Sequence, residues 1–268
     1  MKPAAFRYVK AASVEEAIET LKVHPNAKVL AGGQSLVPLM NFRLNRPDVV
    51  VDINGIGELD QVMTGNGELR LGALVRHQRL VDEAVVAQTI PLMAEAARHI
   101  GHWGIRNRGT VGGSVAHADP AAELPALMTA LNATIVAESP TGEQRYHATD
   151  FFLGYYTTAL TADQLIVRFH IPVPSGSMGF AEVVRRPGDF ALAGAIAHII
   201  GTHGAVTWFG IGGRPERYPV EDWPSDEDGR RALLRDLVER IDLSGEEEYK
   251  RDIAVNAALR ALRQAEEA

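Results

Sequence analysis

The chain has 268 residues, 46% of them hydrophobic and 23% charged, a globular composition with length for about two domains. Its formal net charge of -7 argues against a general binder of nucleic-acid backbone, which needs a basic face. Cysteine is absent, which excludes disulfides, thiolate-held iron–sulfur clusters, a cysteine nucleophile and cysteinyl attachment of a cofactor.

The first residues, Met1-Lys2-Pro3-Ala4-Ala5-Phe6-Arg7, lack the apolar run of a signal peptide, and no stretch is long enough to span a bilayer. The expectation is a soluble cytoplasmic protein. Residues 1–52 read as strand, helix, strand, helix, strand. Ser13 and Glu16 form a capping box, after which Val14, Ala17, Ile18 and Leu21 repeat at helical spacing. Residues 28–30 make a short strand running into Ala31-Gly32-Gly33-Gln34-Ser35. A helix carrying Leu36, Leu39 and Met40 follows, then a strand over residues 48–52. Residues 62–71 predict a hairpin about Gly65-Asn66-Gly67, the turn chemistry a tight hairpin requires.

Residues 81–100 are mostly helical with a break at Pro91, and a dense glycine cluster occupies residues 101–113. Residues 121–131 are helical again. Strands are predicted at 134–137, 144–147 and 164–171, and Pro172-Val173-Pro174-Ser175-Gly176-Ser177 reads as a linker. Three strand-like runs follow (180–184, 192–200 and 205–211), then helices over 230–241 and 246–265. Alternating elements first and segregated strands and helices afterwards fit an α+β protein in two parts.

Two segments carry the chemistry. Gly32 and Gly33 stand between a strand and a helix start, where glycine lets backbone amides turn toward an anion and the helix start adds partial positive charge. Gly109-Thr110-Val111-Gly112-Gly113-Ser114 has the same small, polar design. Each alone reads chiefly as a tight turn; together they suit a pyrophosphate. There is no phosphate-loop Gly-Lys pair and no Gly-x-Gly-x-x-Gly fingerprint. Gly33-Gln34-Ser35-Leu36-Val37 lacks the closing glycine of a nucleophile elbow. His99 and His102 share helical spacing without a third metal ligand, and read as surface or capping residues.

Ala31-Gly32-Gly33-Gln34-Ser35-Leu36-Val37-Pro38-Leu39-Met40 resembles the first FAD pyrophosphate loop of the medium subunits of molybdenum hydroxylases, the carbon monoxide dehydrogenase and xanthine dehydrogenase type. The run from Arg106-Asn107-Arg108 through Gly113-Ser114-Val115 to Glu123-Leu124-Pro125 is similar to that family's second loop. Arg185-Arg186-Pro187-Gly188-Asp189-Phe190-Ala191 resembles the motif opening its C-terminal domain, and Asp242-Leu243-Ser244 through Glu248-Tyr249-Lys250-Arg251 its closing helix. The resemblance runs essentially the full length.

It implies an α+β fold: a two-part FAD-binding domain of the vanillyl-alcohol-oxidase-like type over 1–175 (subdomains about 1–57 and 58–175), then a smaller C-terminal domain over 176–268 with an antiparallel sheet and helices. Ala31, Gly32, Gly33, Gln34 and Ser35 would embrace the pyrophosphate together with Thr110, Val111, Gly112, Gly113 and Ser114, and Leu30 and Leu36 would also meet the cofactor. Ile100, Ala118, Asp119, Glu123 and Ile166 would also meet the cofactor, Ile166 near the flavin ring. Two positions depart from the family. Ser114 stands where asparagine or aspartate is frequent, and the lysine that some relatives hold near the flavin falls here at Ala181 or Glu182.

Other residues keep two readings. Asp119 either contacts the cofactor or caps the next helix. Arg185 and Arg186 approach the flavin or pair with acids such as Asp189. Tyr155 and Tyr156 are read chiefly as aromatic core, and Trp103 as a loop anchor or a border of the cofactor or a partner.

The implied function is electron relay. Non-covalent FAD in this chain would take electrons from the [2Fe-2S] clusters of a small subunit, fed by a large molybdopterin subunit, and pass them to NAD or another acceptor. The assembly would be a dimer of heterotrimers. No side chain need serve as catalytic acid, base or nucleophile. The alternatives are a free-standing FAD-dependent oxidase or dehydrogenase, and a non-catalytic flavin-binding assembly protein.

Overall fold

The computed structural model describes residues 1–243 and 247–268. The chain opens with β1 (Arg7–Lys10), α1 (Val14–Val23), β2 (Lys28–Leu30), α2 (Leu36–Asn41) and β3 (Val49–Asp52). Their strands form a parallel sheet in the order β1-β3-β2. At the start of α1, Ser13 Oγ accepts from the Glu16 amide at 3.3 Å, and the Glu16 carboxylate accepts from the Ala12 amide at 2.8 Å. The reciprocal cap therefore reaches one residue further back than the usual capping box. Val14, Ala17, Ile18 and Leu21 are buried, as their spacing predicts.

β4 (Val62–Gly65) and β5 (Glu68–Gly72) form the expected hairpin, with Asn66 at φ 52° and Gly67 at φ 73°, the left-handed pair that a two-residue turn needs. Next come α3 (His77–Asp82), α4 (Ala84–Thr89), α5 (Pro91–His99), α6 (Trp103–Arg106), α7 (Val111–His117) and α8 (Glu123–Ala130). β6 (Thr134–Ser139), β7 (Gly142–His147), α9 (Ala148–Phe151), β8 (Phe152–Gly154), β9 (Thr157–Thr158) and β10 (Leu165–Pro172) follow. A five-stranded antiparallel sheet results, ordered β4-β5-β10-β6-β7.

That sheet separates two cores. Leu165 and Val167 of β10 join Val136 in packing with Val14, Ile18 and Leu21 of α1. Ile166, Phe169 and Ile171 belong to the other core, with Met93 and Ala97 of α5 and Leu124 and Leu127 of α8. The shift between Ile166 and Arg168 is a bulge.

β11 (Ser177–Val183), β12 (Ala193–Ile200), β13 (His203–Phe209) and β14 (Glu216–Val220) make an antiparallel meander, followed by α10 (Glu227–Glu239) and α11 (Glu247–Glu267). One face of this sheet receives α11 through alanines on both sides, Ala195 and Ala197 against Ala254, Ala258 and Ala261. Trp208, wholly buried, donates its indole N–H to the Ala254 carbonyl at 3.0 Å. Phe180, Ile196 and Phe209 lie in the core beside α5 and α8.

The architecture is the expected α+β one, with local differences. The stretch 81–100 holds parts of three helices, because Glu83 and Ile90 leave helical geometry. The glycine cluster contains α6 and runs into α7, neither of which its composition suggests. The helix after Pro120 begins at Glu123, and residues 173–176 alone separate β10 from β11. A fourth strand, β14, joins the three expected ones; Pro219 interrupts its sequence pattern. The expected start of the last helix at Glu246, and Ser244 of the closing motif, lie outside the described residues.

Candidate functional site

The first segment sits where β2 ends and α2 begins. Gly33 adopts φ +72°, a left-handed conformation that glycine takes without strain. Gln34 folds back, its side-chain amide donating to the Gly32 carbonyl at 3.1 Å. Among the described residues, the backbone amides of Gly32, Gly33, Gln34 and Ser35 donate to no protein acceptor. The Ser35 hydroxyl makes no capping bond either. Four unengaged amides at a strand-to-helix turn are donors open to solvent or a ligand. Leu30 and Leu36 border it as the last strand residue and the first helical one.

The second segment faces the first. A Cβ at Gly32 would lie 2.3 Å from the Arg108 carbonyl oxygen and 2.8 Å from Gly109 Cα, so the two backbones touch there. Yet the second segment is not a second amide cradle. The Val111 amide donates to Val75 O at 2.9 Å, Gly112 to Ala73 O at 2.8 Å and Ser114 to Thr110 O at 3.0 Å. The Gly113 amide donates to Thr110 Oγ1 at 3.1 Å. These residues form the first turn of α7, capped by Thr110. Gly112 is buried, and a Cβ on it would meet Ala73 Cβ at 2.7 Å; its small size serves packing. Gly113 is exposed and Ser114 half-buried, and a Cβ on Gly113 would stand 3.9 Å from the Ala31 Cβ of the first segment.

Beneath the second segment lies His77, buried, with its Nε2–H donating to the Thr110 carbonyl at 2.9 Å. Burial pushes this imidazole down to about 4, against the pull of the Thr110 bond, so it is neutral at pH 7. Its backbone amide donates to the Gly109 carbonyl at 3.0 Å. Asn54 and Arg76 stand alongside. Asn54 Nδ2 donates to the Ala31 carbonyl at 2.9 Å. Arg76 Nη2 donates to Asn54 Oδ1 at 2.7 Å, while its Nη1 donates to the Arg108 carbonyl.

Further along, a buried acidic cluster joins the two sheet systems. Glu123 opens α8 and is 4% exposed. Burial pushes its carboxyl up to about 8, with nearby Glu182 and Asp119 adding to the rise and His99 opposing it. Glu182 of β11 is buried and accepts from His99 Nδ1 at 3.0 Å, which raises the His99 imidazole. Its other oxygen is buried without a partner among the described residues. At neutral pH Glu123 is therefore mostly protonated and able to donate a hydrogen bond.

The remaining expectations divide. Ile100 is 9% exposed, at the end of α5, and Ile166 is a core residue of β10. Ala118 ends α7 at φ 51°. Asp119 caps neither helix; its Oδ1 accepts from the Ala121 amide at 2.9 Å and its Oδ2 from the Tyr156 hydroxyl at 3.4 Å, bracing the loop before α8. Tyr155 and Tyr156 are both exposed, correcting their assignment to the core: the turn between β8 and β9, with Tyr156 at φ 51°, lifts both rings outward. Trp103 is exposed as well. Arg186 pairs with Asp189 at 3.0 Å. Sequence reasoning missed Asn54, Arg76 and His77, none of which stands in a glycine run; each is recognised only through a partner distant in sequence.

A strand-to-helix turn with unengaged amides touches a second glycine segment, and the chain carries a buried, protonatable carboxyl at Glu123. Residues 4–174 match the family described as FAD binding domain in molybdopterin dehydrogenase. The chain is 44% identical over 234 residues to the caffeine dehydrogenase subunit beta of Pseudomonas sp. (strain CBB1), covering 83% of this chain and 79% of that one. It is 38% identical over 197 residues to the carbon monoxide dehydrogenase medium chain of Hydrogenophaga pseudoflava, covering 72% and 69%. The crystal structure of quinoline 2-oxidoreductase from Pseudomonas putida 86 superposes with a TM-score of 0.94 at 34% identity, covering 100% of this chain and 99% of that one. The chain belongs to the FAD-binding family of the molybdopterin dehydrogenases, and is an oxidoreductase subunit of that type. Among the described residues, no helix is long and apolar enough to cross a membrane.

Proposed function

We propose that this chain binds one FAD non-covalently, with the pyrophosphate between residues 31–35 and 110–114, and relays electrons from the [2Fe-2S] clusters of a partner subunit to NAD or another acceptor. The observation that carries the reading is the row of unengaged amides from Gly32 to Ser35, facing a second segment in a chain of this family. Bound FAD supplies the redox chemistry. The chain's residues orient it: the first segment's amides meet the phosphates, Gly113 and Ser114 close the opposite wall, and Glu123 offers a proton to an acceptor on the cofactor. Cysteinyl linkage is impossible without cysteine. The partners are a large molybdopterin subunit and a small iron–sulfur subunit, assembled in the cytoplasm as a dimer of heterotrimers.

The test is a titration of the purified chain with FAD and FMN, then anaerobic reduction. FAD binds at about one per chain and more tightly than FMN, which lacks the pyrophosphate, and acid precipitation leaves the yellow colour in the supernatant. Dithionite bleaches the flavin, and aldehydes, purines, N-heterocycles and alcohols bleach it only when both partner subunits are present. Rapid bleaching of the isolated chain by one organic compound would place it among free-standing dehydrogenases.

A further inference from the structure

The two segments touch, yet among the described residues no backbone hydrogen bond joins them. Their polar connection runs through two side chains. On the first segment, the Ala31 carbonyl accepts from Asn54 Nδ2 at 2.9 Å. Asn54 is itself fixed by Asp52, whose Oδ1 accepts from the Asn54 amide at 2.9 Å and from Nδ2 at 2.7 Å. Asp52 in turn accepts from the Tyr8 hydroxyl. On the second segment, the Arg108 carbonyl accepts from Arg76 Nη1, and Arg76 Nη2 closes the chain on Asn54 Oδ1 at 2.7 Å. Ala31 and Arg108 each immediately precede a glycine of the contact, Gly32 and Gly109.

We propose that Arg76 and Asn54 are positioning residues for the dinucleotide, a serial bridge from Ala31 O to Arg108 O that fixes the separation of the two cofactor-binding segments. Arg76 suits this place for two reasons. Its backbone already pairs antiparallel with Thr110, so its register against the second segment is set before the side chain reaches out. Its planar guanidinium serves two acceptors at once in a fixed geometry, which an ammonium on a flexible stem does less well. Half-burial, with the like charge of Arg108, lowers the guanidinium's pKa against the pull of Asp60 and Asp52. The bridge sits at the seam, so its loss frees the spacing of the segments while leaving the cores on either side intact.

This inference rests on the reading that a pyrophosphate lies between the segments, and the experiment separates the two. The full-length chain and its Arg76→Ala, Asn54→Ala and double variants are titrated with FAD and with FMN, and their apo melting temperatures are recorded. The wild type binding FAD no better than FMN would remove the underlying reading before the bridge is addressed. Given a wild-type preference for FAD, each single variant should weaken FAD about tenfold or more and shift FMN by less than about twofold. The double variant should be no weaker than the worse single, because the links are in series. Unchanged FAD affinity, equal loss for FAD and FMN, or multiplied effects in the double variant would each overturn the bridge. If Arg76→Ala does not fold, Asn54→Ala alone carries the FAD-to-FMN comparison.

Discussion

Gly32→Ala is the sharpest perturbation available at the site. The added methyl would lie 2.3 Å from the Arg108 carbonyl oxygen and 2.8 Å from Gly109 Cα, and both are backbone atoms that no rotamer change can move. Relief to an ordinary contact near 3.5 Å requires the segments to part by about 1 Å, and overpacking of this kind costs roughly 1–3 kcal/mol. Parting the segments strains the Arg76–Asn54 bridge that sets their spacing, so part of the cost falls on the apo chain and part on cofactor binding. The apo melting temperature should therefore fall, and the dissociation constant for FAD should rise by up to roughly 150-fold. Gly33→Ala provides a graded comparison: its methyl meets only the Leu30 and Val37 side chains, at 3.2 Å, but at φ +72° it costs about 1–2 kcal/mol of backbone strain. Gly65→Ala, which meets nothing within 4 Å, should leave binding unchanged. Flavin fluorescence titration across the three variants measures the series. Wild-type affinity in folded Gly32→Ala would refute the claim that seam closure positions the cofactor.

Three further outcomes follow from the same geometry. His77 titrates near 4 when folded and near 6.5 when unfolded, so the unfolded state binds more protons between these values and stability falls as pH drops through that window. At pH 5 the cost is about 2 kcal/mol, and His77→Gln should flatten the apo melting curve between pH 7 and pH 5; an unaltered acid slope would contradict it. Glu123 titrates near 8 when folded against 4.5 unfolded, so its burial costs nothing below pH 4.5 and most above pH 8. Glu123→Gln should stabilise the apo chain at pH 7 by about 3 kcal/mol, read as a higher melting temperature that the wild type approaches only in acid. Gly112→Val should lower the apo melting temperature sharply, because its side chain drives into Ala73; a well-folded variant that loses only FAD would instead make Gly112 a direct contact.

Much of the fold is legible where local chemistry and tertiary environment agree. α1 shows its cap and its apolar stripe, the first hairpin shows Asn66-Gly67, and the last helices show their periodicity. α7 is illegible for the opposite reason. Val111-Gly112-Gly113-Ser114 has poor helix propensity, and what makes it helical is anchorage of its amides on Ala73 and Val75, distant in sequence. Tyr155 and Tyr156 show the limit of composition: paired aromatics suggest a core, but the tight turn between β8 and β9 leaves no interior to enter. Buried charge was equally hidden. Glu182 stands on a strand whose alternation marks its neighbours as apolar, and only the approach of α5 supplies His99 as its partner.

The asymmetry between the two glycine segments explains how similar sequences can carry different tasks. Backbone polar groups near an interior must be engaged, so amides not used within the protein are the ones available to a ligand. The first segment leaves its amides unengaged because Gly33 turns left-handed and Gln34 bends back on Gly32, which prevents the turn from closing on itself. The second engages every amide from Val111 to Ser114; its Gly109 and Gly112 admit His77 and Ala73, while the exposed Gly113 faces Ala31 of the first segment. The Arg76–Asn54 bridge lies where the two meet, so their spacing is set by the fold rather than by the cofactor, and less of the binding energy is lost in ordering the loops.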